Sequence, residues 1–298
     1  MGIKILAGRG KARPGKAMQG KANLILKIMK KRIIVISDLH CGHQAGLTPP
    51  DYQFVEVKGS TTKHNKWAKL QKEMWINFTN ILEKYKPFDV GFSMGDMIDG
   101  KGGKSGGTEL ISTDRNTQVD ISVACHQAVS DRSRKNFKWI GVYGTGYHSS
   151  GEGGEDWENI IADRCEFEKI GSHESVDVNG CIFDLKHHIG GSSIPHGRFT
   201  SAAKERLWNV LWNERDLRPK ANVILRGHVH YATYCGEPGW VAMTLPALQG
   251  MGSKYGGRIC SGTVHWGLVI FDVDDDGNFE WHQEVIEIVS QKMEAIKI

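Results

Sequence analysis

Ile33-Ile34-Val35-Ile36-Ser37-Asp38-Leu39-His40 decides how the rest of the chain is read. A continuous β-branched run predicts a strand buried on both faces, as in a sheet covered by helices. Such a strand ends at the sheet rim, where α/β proteins place their ligands. Asp38 and His40 are one residue apart, so both can turn to one point as strand gives way to loop. A carboxylate and an imidazole there suit a divalent transition metal. Taken alone, Asp-x-His reads as an ordinary turn.

The same signature recurs down the chain. Phe88-Asp89-Val90-Gly91-Phe92-Ser93-Met94 reads as a second strand and runs into Gly95-Asp96-Met97-Ile98-Asp99. Phe137–Tyr143 reads as a third, ending in Gly144-Thr145-Gly146-Tyr147-His148. Residues 181–186 alternate and end in His187-His188, and 222–226 end in Gly227-His228-Val229-His230. A helix is expected over 66–86, from apolar residues recurring at three and four; 117–135 also reads as helical, 153–167 as an acidic helix around Trp157, Ile160 and Ile161, and 200–215 as a helix through Ala203, Leu207, Val210 and Leu211. Residues 239–245, 263–273 and 278–289 read as strands, the last two joined by Asp274-Asp275-Asp276-Gly277. The glycine-rich stretch 100–115 lacks P-loop spacing and reads as a flexible excursion. One such strand end could be accidental; five in succession describe a site.

Composition bounds the function. The chain has 298 residues, 40% apolar and 24% charged, enough for one large α/β domain. No apolar run approaches the roughly 18–20 residues of a membrane span, so no membrane partner is expected. Six scattered cysteines without Cys-x-x-Cys fit a reducing cytoplasm. The net charge of +4 is uneven. Residues 1–32 hold ten Lys or Arg and no acid, leaving 28 bases against 34 acids, or −6, for the remainder. Residues 1–28 read as a basic, unstructured extension, either a nucleic-acid-contacting arm or a segment upstream of a start at Met29. Residues 29–298 read as a single domain.

The ordered set Asp38-x-His40, Gly95-Asp96-x-x-Asp99, Gly144…His148, His187-His188 and Gly227-His228-x-His230 resembles the calcineurin-like metallophosphoesterases. Cys41-Gly42-His43 and the His187-His188-x-Gly-Gly loop are similar to those of phage-encoded members. The resemblance implies two packed mixed β-sheets flanked by helices, with the site at the carboxyl rim. It also implies two divalent metal ions (manganese, iron or zinc). Asp38, His40 and His230 would hold one and His187 and His228 the second, with Asp96 bridging. His187 is favoured over its neighbour His188 because it shares a strand face with Phe183 and Leu185. The implied reaction is attack on a phosphoester by a hydroxide bridging the ions. His148 would steady charge or protonate the leaving oxygen, and Asp99 would orient a ligand.

Two departures matter. Where the family has Gly-Asn-His, this chain offers Thr145 or Tyr147, depending on which glycine aligns. Glu152 or Glu155 could complete the second ion's shell. The family's protein phosphatases carry Arg-Gly after the position of Asp99; here Gly100-Lys101 stands instead. That implies a phosphodiester substrate, nucleic acid or nucleotide, over a phosphoprotein. A phosphomonoesterase, or a metal-binding interaction protein with weakened turnover, is the alternative.

Overall fold

The computed structural model describes residues 30–59, 63–150, 153–253, 262–292 and 295. The basic extension 1–28 and Glu152 therefore lie outside the described residues. The β-branched run forms β1 (Lys31–Ile36), and its alternation divides two cores. Ile33 and Val35 face the interior between two sheets; Ile34 and Ile36 face a layer of helices. All four are fully or almost fully buried, each side chain contributing ~1.5–3 kcal/mol by leaving water.

β1 pairs in parallel with β2 (Phe88–Ser93), which pairs in parallel with β3 (Ser133–Val142) and so to the short β4 (Lys169–Gly171). On its other side β1 runs antiparallel to β10 (Trp266–Val273), which pairs with β11 (Phe279–Ile286). The first sheet has the order β11-β10-β1-β2-β3-β4. The second, β5-β6-β7-β9-β8, is built from β5 (Glu174–Val178), β6 (Cys181–Lys186), β7 (Val223–Arg226), β8 (Thr233–Glu237) and β9 (Trp240–Thr244). Here β6, β7 and β9 are mutually parallel and the edge strands antiparallel.

Helices cover both outer faces. On the first sheet lie α1 (Lys63–Tyr85), α2 (Arg115–Ser130) and α4 (Trp157–Arg164), with a single turn, α3 (Gly146–Ser149), leading into α4. In α1, Trp67, Leu70, Met74, Phe78, Ile81 and Leu82 form the buried stripe expected from their spacing. The second sheet is backed by α5 (Arg198–Asn213), which packs Ala202 on Ile224 and Ala242. The fold is the expected pair of mixed sheets flanked by helices.

Differences from the sequence expectation are local. The second helix is Arg115–Ser130, not 117–135, because the Asp114 side chain caps it, accepting from Asn116 N at 3.1 Å. β3 begins at Ser133, inside the span read as helix. The stretch 100–115 is not a free excursion. Gln44 N donates to Glu109 O at 2.8 Å and Ile111 N to Gly42 O at 2.6 Å, folding it onto the loop after β1.

Candidate metal centre

The site begins where β1, β2, β3, β6 and β7 stop. After β1 the chain passes Asp38 and His40; their amides donate to Gly95 O (3.2 Å) and Asp96 O (2.9 Å), so the turns after β1 and β2 are laced together. From the second sheet, His228 N reaches both Asp38 oxygens at 3.1 Å, and Ser37 Oγ donates to Asp38 Oδ2 at 2.5 Å. Close approach dictates glycine at two points. A Cβ on Gly144 would lie 2.1 Å from Asp96 N, and one on Gly227 2.5 Å from Ser37 Oγ.

Backbone strain concentrates here. Among the described residues eight non-glycines have left-handed φ, and five of them are Asp38, His40, Asp96, His228 and His230. Each such position costs on the order of 1–3 kcal/mol and persists only where its surroundings fix it.

Hydrogen bonding assigns the tautomers. His187 Nδ1 lies 2.6 Å from Met94 O and His148 Nδ1 2.8 Å from Asp99 O. A carbonyl only accepts, so both Nδ1 atoms carry the proton. His40 Nδ1 donates to Asp99 Oδ1 at 3.1 Å. In the neutral rings of His40 and His187 this leaves the Nε2 lone pair for an electrophile, the usual arrangement behind metal-binding imidazoles.

Two groups of donors result, each with its atoms within 4.8 Å of one another: Asp38, His40 and His230, and Asp96, His187 and His228. Asp38 Oδ1 lies 3.2 Å from His230 Nε2 and 4.0 Å from His187 Nε2. Asp96 Oδ2 lies 3.1 Å from His187 Nε2 and 3.9 Å from His40 Nε2. Both carboxylates thus stand between the groups, closing a single pocket. A third set, His40, Asp99 and His148, shares His40 with the first.

The electrostatics are those of buried charge held by opposite charge. Burial pushes the Asp38 carboxyl up, but His230 and His187 outweigh it and bring it to about 2. Asp96 behaves likewise and falls well below the usual range, chiefly beside His187. For His187 burial opposes the cation, but Asp96 and Asp38 raise it to about 10. Burial lowers His228 to about 4, with His187 adding to the effect. His187 Nε2 is buried and makes no hydrogen bond, its 3.1 Å approach to Asp96 being misaligned for one. An orphaned imidazole nitrogen between two carboxylates fits a divalent cation, which competes with a proton for that lone pair.

The other residues singled out by sequence fall as follows. His188 is exposed; its ring lies 4.6 Å from that of His228, outside both donor groups. Thr145 takes the place beside Asp96, its amide donating at 2.6 Å and its hydroxyl lying 2.9 Å from both carboxylate oxygens. Tyr147 is exposed, edge-on to His148 with ring centroids 4.9 Å apart. Glu155 is exposed and accepts from Gly153 N at 3.0 Å. The His148 ring meets His40 edge-on with centroids 4.6 Å apart.

Two contributors carried no sequence signal. Glu158 lies on a helix read only as acidic, yet it is fully buried; desolvation and the nearby Asp96 charge raise it to about 7. His265 backs the turn that carries His228 and His230, its amide donating to His230 O at 2.8 Å and its Nδ1 accepting from Ala232 N at 2.9 Å.

No protein-family model and no curated protein matches the sequence. Solved structures do align. Vacuolar protein sorting 29 of Cryptosporidium parvum is 10% identical over 86% of this chain and 98% of its own, with a TM-score of 0.42. An archaeal phosphodiesterase is 12% identical over 86% and 99%, at 0.39. Wild-type Vps29 of Entamoeba histolytica, complexed with zinc, is 12% identical over 85% and 98%, at 0.37. In its paired mixed sheets, and in the carboxylates and imidazoles gathered at one rim, the chain resembles the calcineurin-like metallophosphoesterases.

Proposed function

We propose that the chain is a divalent-metal-dependent phosphoester hydrolase acting on phosphodiesters, nucleic acid or nucleotides among them. The observation that carries this reading is His187 Nε2, buried, without a hydrogen bond, and flanked by Asp96 and Asp38. Asp38, His40 and His230 would hold one ion, His187 and His228 the other, and Asp96 would face both. Manganese, iron or zinc suits this donor set. Two such ions, when bound, supply Lewis acidity for activating water and for the charge of an in-line displacement.

The chain's own groups do the remaining work. Met94 O and Asp99 orient His187 and His40 as lone-pair donors. Thr145 steadies Asp96 through its amide and its hydroxyl. His148, held through Nδ1, keeps Nε2 for the substrate and would protonate the leaving oxygen or steady developing charge. The Asp99 carboxylate lies 3.9 Å from His148 Nδ1. Gly100-Lys101 in place of Arg-Gly supports a diester over a phosphoprotein. The five cysteines among the described residues are free, which supports a cytoplasmic setting. None of the described helices is long and apolar enough to cross a membrane.

The test sets bis(p-nitrophenyl) phosphate against p-nitrophenyl phosphate with added manganese, beside elemental analysis of the purified protein. Faster diester turnover is expected. Failure of both esters with manganese, iron and zinc overturns the proposal. Thr145 in the family's Asn position supports a second reading, a metal-binding interaction protein with a weakened second site. Tight metal binding without turnover would select it.

A further inference from the structure

The first turn of α4 forms a bracket behind the metal centre. Its Asp156 caps the helix, Oδ1 accepting from Glu158 N at 3.1 Å and Asn159 N at 3.3 Å. The capped turn presents two side chains to the ends of β2 and β3. Asn159 Oδ1 accepts from the Tyr143 hydroxyl at 2.7 Å. Glu158, fully buried, spans both strands: Oε1 accepts from Met97 N at 3.0 Å and Oε2 from Gly144 N at 2.7 Å.

These two amides flank Asp96. Met97 is the next residue in its own turn. Gly144 immediately precedes Thr145, whose amide and hydroxyl both donate to Asp96. We infer that Glu158 is a positioning residue for the metal centre: its carboxylate locks the turns after β2 and β3 together and so fixes where Asp96 points. The inference rests on reading Asp96 as a ligand shared between two ions. Glu158 stands outside all three donor groups, and each of its oxygens accepts from a backbone amide. Without it, the Met97 and Gly144 amides would lose their acceptor, and the Thr145 bonds to Asp96 would be left to tie the two turns by side chain.

Glu158→Gln keeps the shape but has one acceptor oxygen, and its NH2 would oppose an N–H. Manganese binding is read by equilibrium dialysis on wild type, Glu158→Gln and Tyr143→Phe, with thermal stability and steady-state kinetics alongside. Tyr143→Phe removes the bracket's other bond without touching either amide beside Asp96. Glu158→Gln is expected to weaken manganese binding about 10–100-fold, the usual effect of losing a group that orients a ligand. Its kcat should recover toward wild type at saturating manganese, with KM for the ester little changed. Tyr143→Phe should bind manganese as wild type does.

An unshifted Glu158→Gln isotherm overturns the inference, as does an equal shift in both variants that follows their loss of stability. If Glu158→Gln does not fold, Glu158→Asp takes its place. That carboxylate is a methylene short, and a wild-type isotherm there also overturns the inference. Wild-type metal binding with no turnover of either ester would remove the hydrolase reading and leave this one standing. Turnover with an unshifted Glu158→Gln isotherm would do the reverse.

Discussion

His126 should make the protein acid-labile in a window set by one buried ring. It is fully buried on α2, with Nδ1 donating to Ser122 O at 2.8 Å and Nε2 accepting from Ser93 Oγ at 3.0 Å. Trp139 and Phe167 pack around it, with ring centroids at 4.9 and 5.5 Å. Desolvation lowers it from 6.5 to about 4, against a small opposing effect of the Ser122 carbonyl. The folded state therefore holds His126 neutral where the unfolded chain would already be protonated. With a depressed folded pKa, its contribution is intact above about pH 6.5 and is lost as pH falls toward 4. The full span is about 2.5 units, or about 3.4 kcal/mol at about 1.4 kcal/mol per unit. Between about pH 7.5 and about pH 5 the loss is about 2 kcal/mol. Urea unfolding of wild type and His126→Gln at both pH values, in chelator, isolates it. The variant will be less stable overall, but its drop between the two pH values should be about 2 kcal/mol smaller. Equal drops would refute the reasoning.

Other outcomes follow from the site. Asp96→Asn should lower metal content and reduce turnover by about a hundredfold or more; wild-type turnover would remove Asp96 from the centre. His148→Ala should cut kcat about 10²–10⁴-fold with metal content kept, whereas loss of metal on elemental analysis would make His148 a ligand. Gly144→Ala places a methyl 2.1 Å from Asp96 N, so urea unfolding should show a loss of about 3 kcal/mol. Removing metal with a chelator should lower the melting temperature, since ion at about 100 times its Kd adds about 2.7 kcal/mol.

What sequence could show depended on burial. Central strands announce themselves because both faces must be apolar: β1, β2 and β7 were legible in Ile33–Ile36, Phe88–Ser93 and Val223–Arg226. The strands passed over, β4, β5 and β8, are all sheet edges. These edges are half exposed, and Glu174-Ser-Val-Asp-Val or Thr233-Tyr-Cys-Gly-Glu carries little pattern. In the site, Asp-x-His and Gly-His-x-His were legible because one short turn brings several donors together. Glu158 was not, because an acid on a short polar helix looks solvated until the neighbouring strand ends are in place. Nor could spacing choose between Thr145 and Tyr147, since that depends on which glycine fits under Asp96. The fit of Gly144 there brings Thr145 to the carboxylate and leaves Tyr147 at the surface.

Asp99 grips two rings with different parts of itself, its carboxylate on His40 and its carbonyl on His148. Swapping its side chain would release the first ring and leave the second in place, because a main-chain oxygen survives any substitution. Mutagenesis at position 99 can therefore dissect ion retention from proton delivery. The reverse dissection needs a change in the path of the chain, which the neighbouring Gly100, at φ 72 and packed against the His148 backbone, is placed to impose.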